Sequence, residues 1–208
     1  MSDVRVEKFL IPLAVLAVAA LAAAAFHVLG LPPFEKRGKI EARKVCESLG
    51  DSPKAASTLE IALPKEPKYS LRGRVTGEHV TQQSNAFRSD CTVYGEEKAL
   101  LGVGTLMMET QPADSWANYS LEDGDEARES FAAGSGGFIT AGNTVAIQVP
   151  CAKAGTIPGG EYSLRVVVDL KSGDASDKAR RGLKDLAVEA ARFAHKETEC
   201  NLPSKLPE

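Results

Sequence analysis

The residues with most chemistry to offer are four cysteines, Cys46, Cys91, Cys151 and Cys200, separated by 45, 60 and 49 positions. No two have the C-x₂₋₄-C spacing that lets one backbone turn present two thiolates to zinc, and no C-x-x-C redox pair occurs. An even number of widely scattered cysteines behind an apolar, export-like segment fits structural disulfides. Three pairings are formally possible. Cys46–Cys91 with Cys151–Cys200 is preferred, because each bond then joins a helical or terminal segment to a strand. In the chain-entropy account, loops of this size stabilise a fold by about 4 kcal/mol each. The competing reading is four reduced core cysteines in a cytosolic domain.

Other catalytic candidates are few. His79 and His195 are the histidines outside the apolar N-terminus, and a lone histidine is more often a surface or satisfied core residue than a base. Ser135 sits in Ala133-Gly134-Ser135-Gly136-Gly137, a loose likeness of a nucleophile elbow. The required G-x-S-x-G fails at Ala133, so a loop is the simpler reading. Neither a G-x-x-x-x-G-K-[ST] nor a helix-opening G-x-G-x-x-G is found. The run Glu122-Asp123-Gly124-Asp125-Glu126 lacks the register of a calcium loop and reads as a solvated acidic segment. Beside it, Trp116 and Tyr119 offer either a contact patch or packing under the loop, and Asn118-Tyr119-Ser120 matches the glycosylation tripeptide. No catalytic, cofactor-binding or metal-ligating residue is assigned.

The elements that must position these groups begin with an apolar segment. After an N-terminal flank, 1–8, the stretch Phe9–Leu31 holds 23 residues without Asp, Glu, Lys or Arg. As a helix it spans about 35 Å, enough for a hydrocarbon core of about 30 Å. Pro12 lies near its start and Pro32-Pro33 mark its end. His27 reads as a neutral histidine near the headgroups. Ala23-x-Ala25 would suit a signal peptidase, but the run continues through Phe26, Val28, Leu29 and Leu31. An uncleaved anchor is therefore preferred, with cleavage as the alternative. Its expected partner is the lipid bilayer, through residues 9–31.

The segment 32–45 is basic. Lys36, Arg37, Lys39, Arg43 and Lys44 face only Glu35 and Glu41, a sum of +3, whereas residues 45–208 carry −6. Basic residues beside a span suit anionic headgroups. Counting two Lys or Arg before the span and five after it, the positive-inside rule places the domain in the cytoplasm. Cysteine usage points to the other side and is given precedence. The acidic remainder argues against nucleic-acid binding, which needs a concentrated basic surface.

Residues 46–200 make one domain of ordinary size, followed by a tail, 201–208. Residues 39–50 read as a short helix ended by Gly50. Pro53, Pro64 and Pro67 punctuate the next stretch, leaving Thr58–Leu63 at best a short element. Phe87–Tyr94 and Leu100–Met108 predict a hairpin around residues 95–98. Residues 111–135 read as a long surface excursion. Phe138–Thr140 and Thr144–Cys151 predict a second hairpin, with Val145, Ile147, Val149 and Cys151 on one inward face. Tyr162–Leu170 comes next, with Leu164, Val166, Val168 and Leu170 aligned. After Ser176 as N-cap, Ala179, Leu183, Leu186, Ala187, Ala190, Phe193 and Ala194 recur at helical spacing. The expected class is α+β: an N-terminal transmembrane helix, then one antiparallel-sheet domain with a C-terminal helix packed on it and two disulfides.

This pattern resembles a known type. Cys46-Glu-Ser-Leu in a first helix, Ser89-Asp90-Cys91-Thr-Val in a first strand, Val149-Pro150-Cys151 ending a later one and an alanine-rich helix reaching Cys200 look like a Streptomyces-type actinobacterial envelope protein, membrane-anchored or secreted. More distantly, they are similar to actinobacterial lipoprotein domains of unknown function. The lipobox of those lipoproteins is missing. The resemblance implies extracytoplasmic placement and supplies no catalytic residues. The functional expectation is a membrane-tethered, non-enzymatic binding or accessory module of the cell envelope, with an envelope protein as a candidate partner and no cofactor. Two alternatives stand beside it: an envelope hydrolase or transferase with an unrecognised site, and a cytoplasm-facing membrane adaptor.

Overall fold

The computed structural model describes residue 21 and residues 37–96, 98–112, 115–116, 127–173 and 176–208. The expected span, 9–31, its flank 1–8 and His27 lie outside the described residues, Leu21 excepted. Among the described residues no helix is long and apolar enough to cross a membrane. Apart from the single helical residue Leu21, the described helices and strands belong to the folded unit Lys39–Glu208.

Where one short helix was expected over 39–50, the chain makes two single 3₁₀ turns, Ala42–Lys44 and Glu47–Leu49. Gly50, at φ 72°, ends the second as expected. The next stretch corrects the sequence reading more strongly: helix α1 runs Ser52–Ala62. Asp51 caps it by accepting from the Lys54 amide at 2.9 Å, and Pro53 falls in the first turn, where its missing N–H costs nothing. The proline taken as punctuation opens a helix.

Seven strands come after it: β1 Ser70–Thr76, β2 Arg88–Tyr94, β3 Ala99–Glu109, β4 Arg128–Phe131, β5 Gly136–Thr140, β6 Thr144–Ile157 and β7 Gly160–Leu170. They form one antiparallel sheet in the order β1-β2-β3-β7-β6-β5-β4. Both predicted hairpins are present, as β2–β3 and β5–β6. β1 and β4 were not anticipated. Helix α2, Asp177–Glu197, closes the fold, its N-terminus capped by Ser176 accepting from the Ala179 amide at 3.3 Å.

Side-chain alternation splits the sheet into two unlike faces. Cys91, Val93, Leu101, Val103, Val145, Ile147, Val149, Leu164, Val166 and Val168 join one core with Leu183, Leu186 and Ala187 of α2. The expected helical stripe is buried apart from Phe193, which is partly exposed. Helix α1 lies on α2 where Gly182 meets Thr58: a Cβ there would stand 3.0 Å from Thr58 Cγ2. Both helices therefore cover the same face.

Two disulfides, Cys46–Cys91 and Cys151–Cys200, staple this layer at separations of 45 and 49 residues. The first ties the 3₁₀ segment to β2 and the second ties β6 to the end of α2. Cys151 is fully buried, as the strand pattern required. Beyond Cys200 the tail stays on the sheet: the Asn201 and Leu202 amides both donate to the Cys151 carbonyl, and Gly134 N–H donates to the Lys205 carbonyl.

Candidate functional site: the open sheet face

The other face of the sheet carries neither α1 nor α2, and two cross-strand rows describe it. One runs Arg74–Asp90–Gly104–Val167–Ala146–Phe138–Ser130, and the next runs Thr76–Arg88–Leu106–Arg165–Gln148–Gly136. The β5–β6–β7 half is covered. Trp116 is fully buried there, edge-on to Phe138 at 5.8 Å between ring centres, and packs with Ala146 and Val167. Of the two readings of Trp116, packing under the loop is the one realised. Tyr119, Asn118 and the acidic run 122–126 lie outside the described residues.

The β1–β2–β3 half is open. Here Arg72, Arg74 and Arg88 are exposed, while Thr92, Gly102, Gly104, Leu106, Met108 and Val167 are half-buried. A trough of about 210 Å³ lies along β3, bounded by Gly104, Leu106, Met108 and Val167, with Arg88, Asp90 and Arg165 at its rim. Gly104 forms its floor. A Cβ built on Gly104, or on Gly102 two residues along the same face, meets no atom within 4 Å among the described residues. Apolar walls with a few charged groups at the edge are the usual make-up of a small-molecule site.

A second, polar cavity opens beside the first where the tail crosses the sheet. Thr110, Gln111, Ser135, Gln148, Ser163 and Lys205 are among its lining. Ser135 Oγ donates to the Gln148 carbonyl at 3.1 Å and accepts from Gln148 Nε2 at 3.2 Å. Thr110 and Ser163 share a hydroxyl–hydroxyl bond of 2.7 Å. Buried Gln148 also donates to the Gln111 carbonyl, and its Oε1 is left without a partner among the described residues. Ser135 is thus engaged by an amide and a carbonyl, neither of which can take its proton as a general base would.

The histidines do not join it. His195 Nε2 lies 2.9 Å from the Leu202 carbonyl and holds the tail against α2. His79 lines a separate cavity with Glu47, Glu78 and Glu197, yet its buried Nδ1 has no hydrogen-bond partner among the described residues. Among the described residues no group of three His, Cys, Asp or Glu side chains is placed to hold a metal ion.

Charge pairs lie on the helix side. Glu129 of β4 bonds Lys184 at 2.8 Å and Arg180 at 3.6 Å. The Lys184 hydrogen bond first, then its charge, hold the Glu129 carboxyl below the usual carboxylate range. Arg180 also donates to the Thr140 carbonyl and to Asn143 Oδ1, clamping the β5–β6 turn. Sequence reading missed the open face. Its signal was Gly102 and Gly104 at alternate positions of an otherwise apolar strand. Comparison with known proteins returns no match to a family model, a curated protein or a solved structure.

Proposed function

We propose that this chain is a membrane-tethered, extracytoplasmic binding or accessory module of the cell envelope, similar in kind to the actinobacterial envelope proteins its cysteine pattern resembles, and that the open sheet face is its binding surface. The observation that carries this reading is the open half of the sheet. Helices α1 and α2 lie on one side, and the β1–β2–β3 half of the opposite face keeps an apolar trough beside exposed cations.

Placement outside the cytoplasm is supported by the two disulfides, since such bonds persist where oxidants prevail. Tethering is supported by the 23-residue apolar stretch Phe9–Leu31. A reporter active only in the cytoplasm, fused after Glu208, is expected to be silent; its activity would overturn the placement. For the binding surface, a photocrosslinking residue is placed at Thr92 on the open face and, separately, at Arg181 on the exposed side of α2. Adducts in intact cells are expected from position 92 only. Equal capture at both positions would contradict the assignment.

A further inference from the structure

We infer that the trough along β3 takes the hydrocarbon chain of an anionic lipid, whose acid group sits at the corner formed by Arg72, Arg74 and Arg88. This rests on the reading of the open face as a binding surface and names its ligand.

The trough offers a ligand no backbone partner. β3 is an interior strand, paired along its length with β2 on one side and β7 on the other. Its backbone N–H and C=O groups are committed to those ladders. An extended peptide laid over Gly102 and Gly104 would give up water from its own amides and find no partner beneath them. A polymethylene chain has no polar group to satisfy and gains with each methylene withdrawn from water.

Shape agrees with this. From Gly104 to Met108, the part of β3 that lines the trough, the strand covers about 14 Å at roughly 3.4 Å per residue. A single leaflet's acyl chain reaches about 15 Å, half of a core about 30 Å thick. The volume, about 210 Å³, is below the usual range for bulky ligands and suits one slender chain.

Charge supplies the head-group end. Among the described residues, three guanidiniums stand against one carboxylate, that of Asp90, at this corner. Arg72 lies over the Tyr94 ring at 5.4 Å, and both Arg74 and Arg88 are exposed. Guanidinium forks suit carboxylate and phosphate alike.

The glycines are not demanded by the fold. Neither Gly102 nor Gly104 has a positive φ, and neither would clash if given a Cβ. Glycine weakens a strand interior and often marks a close approach by something else. What Gly104 provides is the space itself.

The test uses the full-length protein in phosphatidylcholine nanodiscs with a fatty acid carrying a diazirine on its chain. After irradiation, label is expected on the 100–108 segment. Excess palmitate should remove it and hexadecyltrimethylammonium should not. Gly104→Leu should reduce labelling at least fivefold without lowering Tm; if it does lower Tm, Gly104→Val serves in its place. A double Arg74→Gln, Arg88→Gln variant should reduce it severalfold. Labelling unchanged in both glycine variants, or competed equally by the cationic amphiphile, overturns the proposal. Capture at Thr92 in cells with no fatty-acid label in the trough also overturns it, while leaving the binding face intact.

Discussion

Gly73 of β1 faces Cys91 across the β1–β2 ladder, and the Cys46 sulfur lies directly over it: a Cβ built at Gly73 would stand 2.7 Å from Cys46 Sγ and 2.7 Å from the Asp90 carbonyl. The disulfide therefore crosses an edge strand at the one position where no side chain stands in its way. A Cβ at Gly104, on the open face, meets nothing within 4 Å among the described residues. Two glycines in neighbouring parts of one sheet thus have opposite reasons to be there.

That contrast makes the first prediction. Gly73→Ala should destabilise the fold by about 1–3 kcal/mol through overpacking. Gly104→Ala should be neutral or stabilising by up to about 1 kcal/mol, since alanine loses less backbone entropy. Urea denaturation of the two variants checks both signs.

Removing the second disulfide should do more than lower stability. Cys151→Ser with Cys200→Ser is expected to cost about 2–5 kcal/mol. It should also free the tail, because the Asn201 and Leu202 amides are bonded to the Cys151 carbonyl. Hydrogen exchange at residues 201–206 should accelerate further than exchange in β7.

The β5–β6 turn offers a test of a single polar clamp. Asn143 adopts φ 65°, and its Oδ1 accepts from Arg180 at 3.1 Å. Asn143→Ala should cost about 2 kcal/mol, combining a lost bond to a charged group with a strained left-handed backbone. Asn143→Gly relieves the backbone and loses only the bond, so it should cost less. Thermal unfolding of the pair separates the two contributions.

Acid should loosen β4 before the rest of the sheet. Glu129 is held below the usual carboxylate range, mainly by Lys184. Its folded pKa lies below its unfolded one, so its contribution is present above the unfolded value and lost as pH falls through the folded value. Amide exchange in residues 128–131 should rise across that acidic window. Glu129→Gln should remove the pH dependence and show the faster exchange at neutral pH.

Legibility in the sequence followed burial. Alternation in β2, β3, β6 and β7 and the stripe of α2 were readable because those residues meet one core. β1 was not: as an edge strand it carries Arg72, Gly73 and Arg74 in succession, and its exposed positions erase the alternation. Helix α1 was hidden by Pro53, which reads as a breaker unless Asp51 is recognised as its cap. The 39–50 segment holds only single turns, and its chain is anchored to β2 through Cys46. The open face was least visible of all. A trough floored by Gly104 leaves only a missing side chain in the sequence, and its neighbours Arg74, Asp90 and Val167 come together solely through strand pairing.

Placement and role both depend on sulfur atoms joined in pairs in the compartment where the chain folds. Protein from its native source, treated with an alkylating reagent before any reduction and weighed intact, tests this most directly. The expected mass is that of the full-length chain less four hydrogen atoms, with no alkyl group added, as two disulfides require. Four alkylated thiols would contradict both.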